Sequence, residues 1–246
     1  MSQHLNWLFF DVGGTLLNEE KLYLMQEELI LQLLNDHGCE VTEKEFASAT
    51  RAARRHYLPR YASHLIWIFT EKSDLYEEIS RAFTESLNKL SYKKYAELVY
   101  PMAEIKDMCL ELSQRYQLGL IGNQPALVRR KLADEGILPL FEVQALSAEM
   151  GLRKPDLRFF LSALAMAHCS PSEAAMIGDR LDNDIYPGRA LGMTTVRLKT
   201  GPHRHQPVLS PEYLPHYTVK NTHELCKLLT EPGEFVARCN GPDTVT

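Results

Sequence analysis

Three polar residues of this sequence follow short apolar runs, two of them after one intervening glycine. They are Asp11, Asn123 and Asp179. Each apolar run is too short for a helix and predicts a buried strand. Ligands of doubly wound α/β sheets bind outside the carboxyl ends of the strands. In such a sheet, the side chains of Asp11 and Asp179 meet in one crevice.

The expected crevice holds an excess of negative charge. Asp184 follows Asp179 at the start of the next predicted helix, so it joins the carboxylates of Asp11 and Asp179. Crowded carboxylates repel one another and raise one another's pKa. A hard divalent cation relieves this repulsion, and Mg²⁺ commonly binds through one or two carboxylates, water and a substrate phosphate. Lys154, just before Pro155, supplies a positive charge from a loop.

Strands and helices alternate along most of the chain that carries these residues. The predicted strands are 7–10, 118–121, a short segment near 143–146, 174–177 and 194–198. The predicted helices between them are about 103–116, 126–135, 156–167 and 185–191. This alternation predicts an α/β fold with a parallel, doubly wound sheet.

A block of helical patterns, residues 20–95, separates the first predicted strand from the second. Within it, Thr42 and Glu45 have the spacing of a capping box and predict the start of a helix. We therefore expect the block to be an insertion into the α/β core. The predicted units are a core at residues 1–17 and 99–232, a helical cap at 18–98, and a disordered tail at 233–246.

Composition narrows the classes of partner. With 45% hydrophobic and 24% charged residues, the 246-residue chain is typical of globular proteins. Its formal charge of -5 argues against nucleic acid as a partner. The sequence shows no signal-peptide pattern and no apolar run near the roughly 20 residues that span a bilayer. Five scattered cysteines predict reduced thiols, so we expect a cytoplasmic monomer or homodimer with no membrane partner.

Four sequence motifs occur in a fixed order over about residues 7–200. They are WLFFDVGGTL, LGLIGNQ, GLRKPD and MIGDRLDNDI. With these motifs the chain resembles the haloacid dehalogenase-like (HAD) hydrolase superfamily, which contains many small-molecule phosphatases. Each motif alone is weakly specific, but all four lie at a predicted strand end or an adjoining loop. The resemblance implies a Rossmann-like core with a mobile helical cap.

The resemblance also implies roles for the charged residues. Asp11 would be the nucleophile that forms a covalent intermediate, and Lys154 would fix Asp11 and the phosphate. Mg²⁺ would be held by Asp11, the backbone carbonyl of Gly13 and the side chain of Asp179, while Asp184 would support the water shell of the metal. A carboxylate is an adequate nucleophile toward phosphorus once a metal and a lysine neutralise the phosphoryl oxygens.

Further residues are expected to bind the phosphate. Gly14 lets the backbone wrap closely and expose N–H groups, and the side chains of Thr15 and Asn123 are suited to hydrogen-bond phosphate oxygens. Lys154 adds its positive charge. Gly122 stands where the family usually has serine or threonine, so its backbone N–H is expected to replace part of the missing hydroxyl contact.

Gly13 is the larger departure from the family pattern. Family phosphatases usually carry a second aspartate there, which protonates the leaving group and then deprotonates the attacking water. Such general acid–base help is typically worth about 10²–10⁴ in rate. Glycine retains a backbone carbonyl for the metal but supplies neither proton transfer.

This departure leaves three hypotheses. The favoured one is a magnesium-dependent hydrolase of a small phosphorylated metabolite that acts through an aspartyl phosphate on Asp11. A metal-independent 2-haloacid dehalogenase is an alternative because halide leaves unprotonated, but Asp179 and Asp184 would then be poorly explained. The third is a non-catalytic protein that binds a phosphorylated ligand or regulates a partner.

A basic run in the predicted cap has two interpretations. It comprises Arg51, Arg54, Arg55 and His56 and is either a solvated helix face or a substrate-recognition surface. His56 or His64 is a possible replacement for the missing acid–base group, because histidine titrates in the required range.

Three other polar residues are assigned outside the site. Asp182 is interpreted as a solvent-facing residue or a helix cap. His203 and His205 are interpreted as parts of a surface loop, because no third metal ligand lies at a suitable spacing.

Overall fold

A computed structural model describes residues 5–57, 61–70 and 72–231, which form two compact units. The core unit comprises the segments up to Asn18, Pro101–Arg204 and from Val208 onward. The helical unit comprises Glu19–Tyr100 and His205–Pro207. The tail predicted at 233–246 lies outside the described residues.

Eight strands and eleven α-helices are found in the described part of the chain. The strands are β1 (Trp7–Phe10), β2 (Leu17–Asn18), β3 (Tyr100–Pro101), β4 (Gln117–Gly122), β5 (Val143–Leu146), β6 (Ala174–Gly178), β7 (Thr194–Leu198) and β8 (Tyr217–Val219). The helices are α1 (Glu20–Asp36), α2 (Glu43–Arg55), α3 (Tyr61–Thr70), α4 (Ser73–Asn88), α5 (Tyr92–Leu98), α6 (Ile105–Leu112), α7 (Leu127–Asp134), α8 (Ser147–Met150), α9 (Leu157–Met166), α10 (Tyr186–Leu191) and α11 (Thr222–Thr230). Short 3-10 turns cover Leu138–Leu140, Pro171–Glu173 and Pro211–Tyr213, and a π-helical turn covers Leu181–Ile185.

The main sheet of the core unit has six strands in the order β5-β4-β1-β6-β7-β8. Every neighbouring pair is parallel, which confirms the predicted doubly wound α/β class. Phe10 lies opposite Leu120 of β4 and Ile177 of β6. Because the three strands run in the same direction, the residues that follow them emerge at one edge of the sheet.

Strand β1 is one of the two central strands of this sheet, and all four of its side chains are buried. Burial on both faces is the expected property of a strand in a parallel sheet. The rings of Trp7 and Phe9 stack with centroids 5.6 Å apart. Gly119 of β4 makes room for Phe9, since a Cβ placed there would lie 2.5 Å from the Phe9 ring.

The helical unit has its own apolar core on α1 to α4. Its fully buried members include Ile30, Leu65 and Ile79. The predicted capping box is confirmed at the start of α2, where Thr42 Oγ1 accepts the N–H of Glu45 and the Glu45 carboxylate accepts the N–H of Thr42 at 3.0 Å. Two of the orphan N–H groups at the helix terminus are thereby satisfied.

The sequence predicts reduced thiols and no segment that crosses a membrane. The four described cysteines, Cys39, Cys109, Cys169 and Cys226, are free thiols. Across the described ranges, no helix combines the length and apolarity that crossing a membrane requires.

Candidate active site

The predicted carboxylates lie together at the carboxyl edge of the main sheet. Asp11 follows β1, Asp179 follows β6, and Asp184 lies in the π-helical turn after Asp179. One carboxylate oxygen from each residue lies within 4.8 Å of the other two. All three are buried, and their residues are 6%, 2% and 0% exposed respectively.

Lys154 connects two of these carboxylates. Its Nζ lies 2.5 Å from Oδ1 of Asp11 and 2.6 Å from Oδ1 of Asp184. Burial alone would lower the pKa of the Lys154 ammonium, but the two carboxylates outweigh burial and hold this pKa above its usual value. Lys154 is therefore a protonated, buried cation between the predicted nucleophile and Asp184.

The second oxygen of Asp184 is held by the backbone. The N–H of Arg180 donates to Oδ2 of Asp184 at 3.0 Å. Gly178, the last residue of β6, makes this position accessible, because a Cβ there would lie 2.3 Å from Cγ of Asp184. Both oxygens of Asp184 therefore have partners within the protein, which directs its carboxylate toward Lys154.

The charges of the cluster do not balance. Three carboxylates face the ammonium of Lys154, and the guanidinium of nearby Arg180, which pairs with Asp182 at 2.5 Å, offsets the charge of Asp179 only in part. Burial, followed by repulsion from Asp11 and Asp184, raises the pKa of Asp179 well above its usual value. Burial is also the main cause that raises the pKa of Asp184 to about 7, against the opposing effect of Lys154.

This donor set fits Mg²⁺. Hard cations of this kind prefer carboxylate and carbonyl oxygens, and the excess charge of the cluster would be offset by a divalent ion. Asp179 borders a narrow space, since a Cβ on Gly14 would lie 2.7 Å from its Oδ2. Only a residue without a side chain leaves this space beside Asp179 open.

The turn after Asp11 is tightly defined. Gly14 has φ of 71°, a left-handed conformation that favours glycine. Its N–H donates to the carbonyl of Leu17 at 2.7 Å, and its own carbonyl accepts the hydroxyl of Thr200, from the segment after β7. The Thr15 hydroxyl is buried and has no hydrogen-bond partner among the described residues, so it has unused capacity for a ligand.

Asn123 and Gly122 lie at the end of β4, next to the strand that carries Asp11. The Asn123 side chain exchanges two hydrogen bonds with the backbone of Lys154, at 2.9 Å and 2.8 Å. A Cβ on Gly122 would lie 2.9 Å from Cγ2 of Val12 and 3.3 Å from Cγ of Gln124. The serine or threonine usual in the family at this position would therefore require the side chain of Val12 to shift.

Two residues outside the carboxylate cluster are more buried than expected. Asp182 does not belong to the cluster, as expected, but its side chain is only 12% exposed and pairs with Arg180. His203 is 4% exposed rather than on the surface, and its carbonyl accepts from Arg197 at 3.2 Å. Both residues follow a buried strand closely, where local polarity is a poor guide to exposure.

The basic run of the helical unit is divided between two environments. Arg51, Arg55 and His56 are exposed, as expected for a solvated face. Arg54 is turned inward instead, and its guanidinium donates to Glu27 of α1. His64 is half-buried on α3.

Comparison with known proteins agrees with this architecture. Residues 151–225 match a family model described as HAD-hydrolase-like. The glyceraldehyde 3-phosphate phosphatase of Methanopyrus kandleri is 24% identical over 231 residues, covering 91% of this chain and 97% of that protein. The crystal structure of a HAD phosphatase from Thermococcus onnurineus superimposes with a TM-score of 0.64 at 22% identity, covering 92% and 98% of the two chains. The chain has the fold of the HAD-like hydrolases, and its residues 151–225 match the model of that family.

A further HAD-like structure was solved with a metal ion. YfnB from Bacillus subtilis, bound to magnesium, superimposes with a TM-score of 0.62 at 22% identity and covers 93% of this chain and 100% of YfnB. At such identities the likeness establishes the HAD-like fold. The two departures of this HAD-like chain, Gly13 and Gly122, lie on the turn after β1 and at the end of β4.

Proposed function

We propose that this chain is a Mg²⁺-dependent phosphatase that hydrolyses a small phosphorylated metabolite through an aspartyl phosphate on Asp11. The observation that carries the proposal is the buried bridge from Lys154 Nζ to Asp11 and Asp184, with Asp179 beside it. A buried carboxylate held by an ammonium is a positioned nucleophile. A surplus of buried negative charge beside it is otherwise costly and calls for a cation.

The chain's own residues account for the first chemical step. An oxygen of Asp11 attacks phosphorus, and the bond between phosphorus and the leaving-group oxygen breaks, with the electron pair passing to that oxygen. Lys154 neutralises charge on the transferring group while it holds Asp11 in place. The Thr15 hydroxyl, which is buried without a partner, donates to a phosphoryl oxygen.

The second step releases phosphate. Water attacks the phosphorus of the acyl phosphate, the bond to the Asp11 oxygen breaks with its electron pair restoring the carboxylate, and the proton lost by the water passes to the released phosphate or to solvent. Asp11, Asp179 and the Gly13 carbonyl would hold Mg²⁺, with Asp184 supporting its water shell. When bound, the ion would neutralise charge on the phosphoryl oxygens and on the carboxylates.

Relatives along the whole chain support a small substrate. The relative named a glyceraldehyde 3-phosphate phosphatase aligns with this chain over 97% of its own length, which supports a small phosphorylated substrate for the whole chain. Four free thiols favour a reducing compartment such as the cytoplasm.

A rapid-mixing assay with p-nitrophenyl phosphate and Mg²⁺ tests the proposal, with Asp11→Asn as the variant. The two side chains have the same shape, but the amide cannot attack phosphorus, so we expect all product formation to disappear. Asp134→Asn makes the same change on the exposed side of α7 and serves as the matched control. It should retain the wild-type rate.

The time course of the wild type separates the two chemical steps. A burst near one equivalent of nitrophenol per chain means that breakdown of the aspartyl phosphate is slow, as expected without an acid–base residue at Gly13. Product that forms equally well in Asp11→Asn would overturn the proposal. No product from either protein would also overturn it, and 2-haloacids would then be the next substrates to assay.

A further inference from the structure

The loop that carries Lys154 is attached to the end of β4 by one side chain. Asn123 Nδ2 donates to the carbonyl of Lys154 at 2.9 Å, and Asn123 Oδ1 accepts the N–H of Lys154 at 2.8 Å. The two residues are 31 positions apart in sequence. A single side-chain amide therefore satisfies both backbone groups of one loop residue.

This attachment matters because a lysine side chain is long and flexible. Its four-carbon stem has many rotamers, so the position of its ammonium depends on where its backbone is held. Lys154 lies between α8 and α9, outside regular structure. Yet its ammonium lies within 2.6 Å of two carboxylates on different segments. The amide of Asn123 fixes the base of the stem.

The strand order explains why Asn123 can do this. β4 is paired directly with β1, with Leu120 opposite Phe10. Asn123 therefore emerges beside Asp11 at the same edge of the sheet. Its amide sets the backbone of Lys154 at a constant distance from the strand that bears the predicted nucleophile.

We infer that Asn123 is a positioning residue that places the ammonium of Lys154 between Asp11 and Asp184. This differs from the expected role of Asn123 as a direct phosphate ligand, because both Oδ1 and one N–H of its amide are engaged by Lys154. The expected effect of Asn123 on phosphate binding rests on the proposed function. The two hydrogen bonds between Asn123 and the backbone of Lys154 do not depend on that function.

A neighbouring pair provides a matched control. Ser147, at the start of α8, accepts the N–H of Gln124 at 3.1 Å. Ser147→Ala thus removes a side-chain attachment between the end of β4 and α8, the helix before the Lys154 loop, but it leaves both backbone bonds of Lys154 intact. A general loosening of the loop would affect both variants, whereas a specific effect on Lys154 requires the loss of Asn123.

The first experiment measures the protection of Lys154 from an amine-acylating reagent by mass spectrometry. Lys154 is 3% exposed, and Lys131, which is 7% exposed and pairs with Glu135, is the internal reference. Loss of two hydrogen bonds should raise acylation of Lys154 in Asn123→Ala about tenfold. Acylation of Lys131 should not change, and Ser147→Ala should resemble the wild type.

This experiment tests whether Asn123 holds the backbone of Lys154 in place, and it needs no assay of activity. Equal protection of Lys154 in the wild type and in Asn123→Ala overturns the inference. Asn123→Asp retains the size and the acceptor of the side chain but loses the donor. It gives a second measurement if the alanine variant does not fold, and its Lys154 should be acylated at an intermediate rate.

The second experiment measures binding of inorganic phosphate by calorimetry with Mg²⁺ present. The proteins are the wild type, Asn123→Ala, Lys154→Met and the double variant. If Asn123 acts through Lys154, the double variant should bind phosphate within about twofold of Lys154→Met, because the side chain that Asn123 positions is already absent.

Two other outcomes have different meanings. Losses that multiply in the double variant show that Asn123 contacts phosphate independently, and they overturn the positioning role. A wild type that binds no phosphate counts against the proposed function instead, while the acylation of Lys154 still decides whether Asn123 holds the loop.

Discussion

At the scale of single residues, Gly13 has the largest chemical consequence. The residue two positions after Asp11 has no side chain and can neither donate nor accept a proton. A leaving group of high pKa then departs as an unprotonated oxyanion, which is slow. A leaving group of low pKa needs no proton. We therefore expect aryl and acyl phosphates to be hydrolysed much faster than alkyl phosphates.

An introduced aspartate should reduce this dependence. Gly13 is not among the glycines of positive φ, so an L-residue meets no left-handed strain there. Gly13→Asp should raise the rate on glycerol phosphate, relative to the rate on p-nitrophenyl phosphate, by about 10²-fold or more. Steady-state kcat/KM on the two substrates measures this ratio.

Gly13→Asn is the matched control, because it has the same shape without an ionisable group. It should leave the ratio of the two rates near that of the wild type. An equal gain from both variants would show that the effect is steric. Equal wild-type rates on aryl and alkyl substrates would show that another group already donates the proton.

The location of a site residue can be predicted from the sequence where it depends on the position of that residue along a strand. Asp11 and Asp179 are expected at strand ends that share one crevice, and they do lie at the ends of β1 and β6 with their carboxylates close together. The amide bonds from Asn123 to Lys154 were not foreseeable, because they join side chain and backbone across 31 residues and leave no spacing pattern. The close approach of the Val12 side chain to the position of a Cβ on Gly122 is not visible in the sequence for the same reason.

At the scale of elements, the basic face of α2 illustrates how a helix separates similar side chains. Arg54 donates to Glu27 on α1, and its guanidinium lies over the ring of Tyr61 on α3, 5.6 Å from the centroid. Tyr61 also donates to Glu27. Burial and this bond to Glu27 raise the pKa of the Tyr61 hydroxyl, which stays protonated. Arg55 is exposed to solvent.

These environments predict different costs for one substitution. Arg54→Met leaves the carboxylate of Glu27, whose side chain is 13% exposed, without its cation. We expect the free energy of unfolding to fall by about 2 kcal/mol. Arg55→Met should change it by less than about 0.5 kcal/mol. Urea denaturation of the two variants measures the difference.

The pair of variants is matched in size and charge, so they differ only in position. Equal losses of stability would contradict the structural role of Arg54. A loss of substrate affinity in Arg55→Met, without a loss of stability, would instead support the substrate-recognition interpretation of the exposed part of the basic run.

Element boundaries were predictable where periodicity and end signals coincide. β7 has the bounds expected for it, 194–198. The helix expected at 103–116 is shorter, since Glu104 adopts a left-handed conformation before α6 and Ser113 ends it. The start of the helix expected at 185 follows a π-helical turn that no residue pattern announces. β8 was missed because its three residues are too few for a periodic signal.

At the scale of the whole molecule, the carboxylate cluster joins distant parts of the chain. Asp11 comes from the first strand, and Asp179 and Asp184 follow the sixth. The three carboxylates come together only in the folded core, so a cation that they bind binds the folded state and not the unfolded chain. It should therefore stabilise the folded state by mass action.

Thermal unfolding with and without Mg²⁺ tests this linkage. Mg²⁺ should raise the Tm of the wild type by several degrees. Asp179→Asn should show little or no rise. Without metal, Asp179→Asn should unfold at a higher temperature than the wild type, because it removes a carboxyl group whose ionisation is opposed by burial and by the charges of Asp11 and Asp184. Differential scanning calorimetry in a chelator and in Mg²⁺ measures both effects.

Asp182→Asn is a useful comparison, because Asp182 pairs with Arg180 and does not belong to the carboxylate cluster. It should retain the rise in Tm on addition of Mg²⁺. A rise of the same size in Asp179→Asn would place the cation elsewhere.

The position of β1 in the sheet has a consequence for synthesis on the ribosome. β1 is made first, but its neighbours β4 and β6 begin only at Gln117 and Ala174. At about 5–20 residues per second, the nascent strand waits on the order of ten seconds for its first partner. During that time a wholly apolar segment has two unpaired edges, which is a substrate for chaperones and a risk of aggregation. Slower translation between these strands should thus reduce the yield of folded protein while leaving the activity of each folded molecule unchanged.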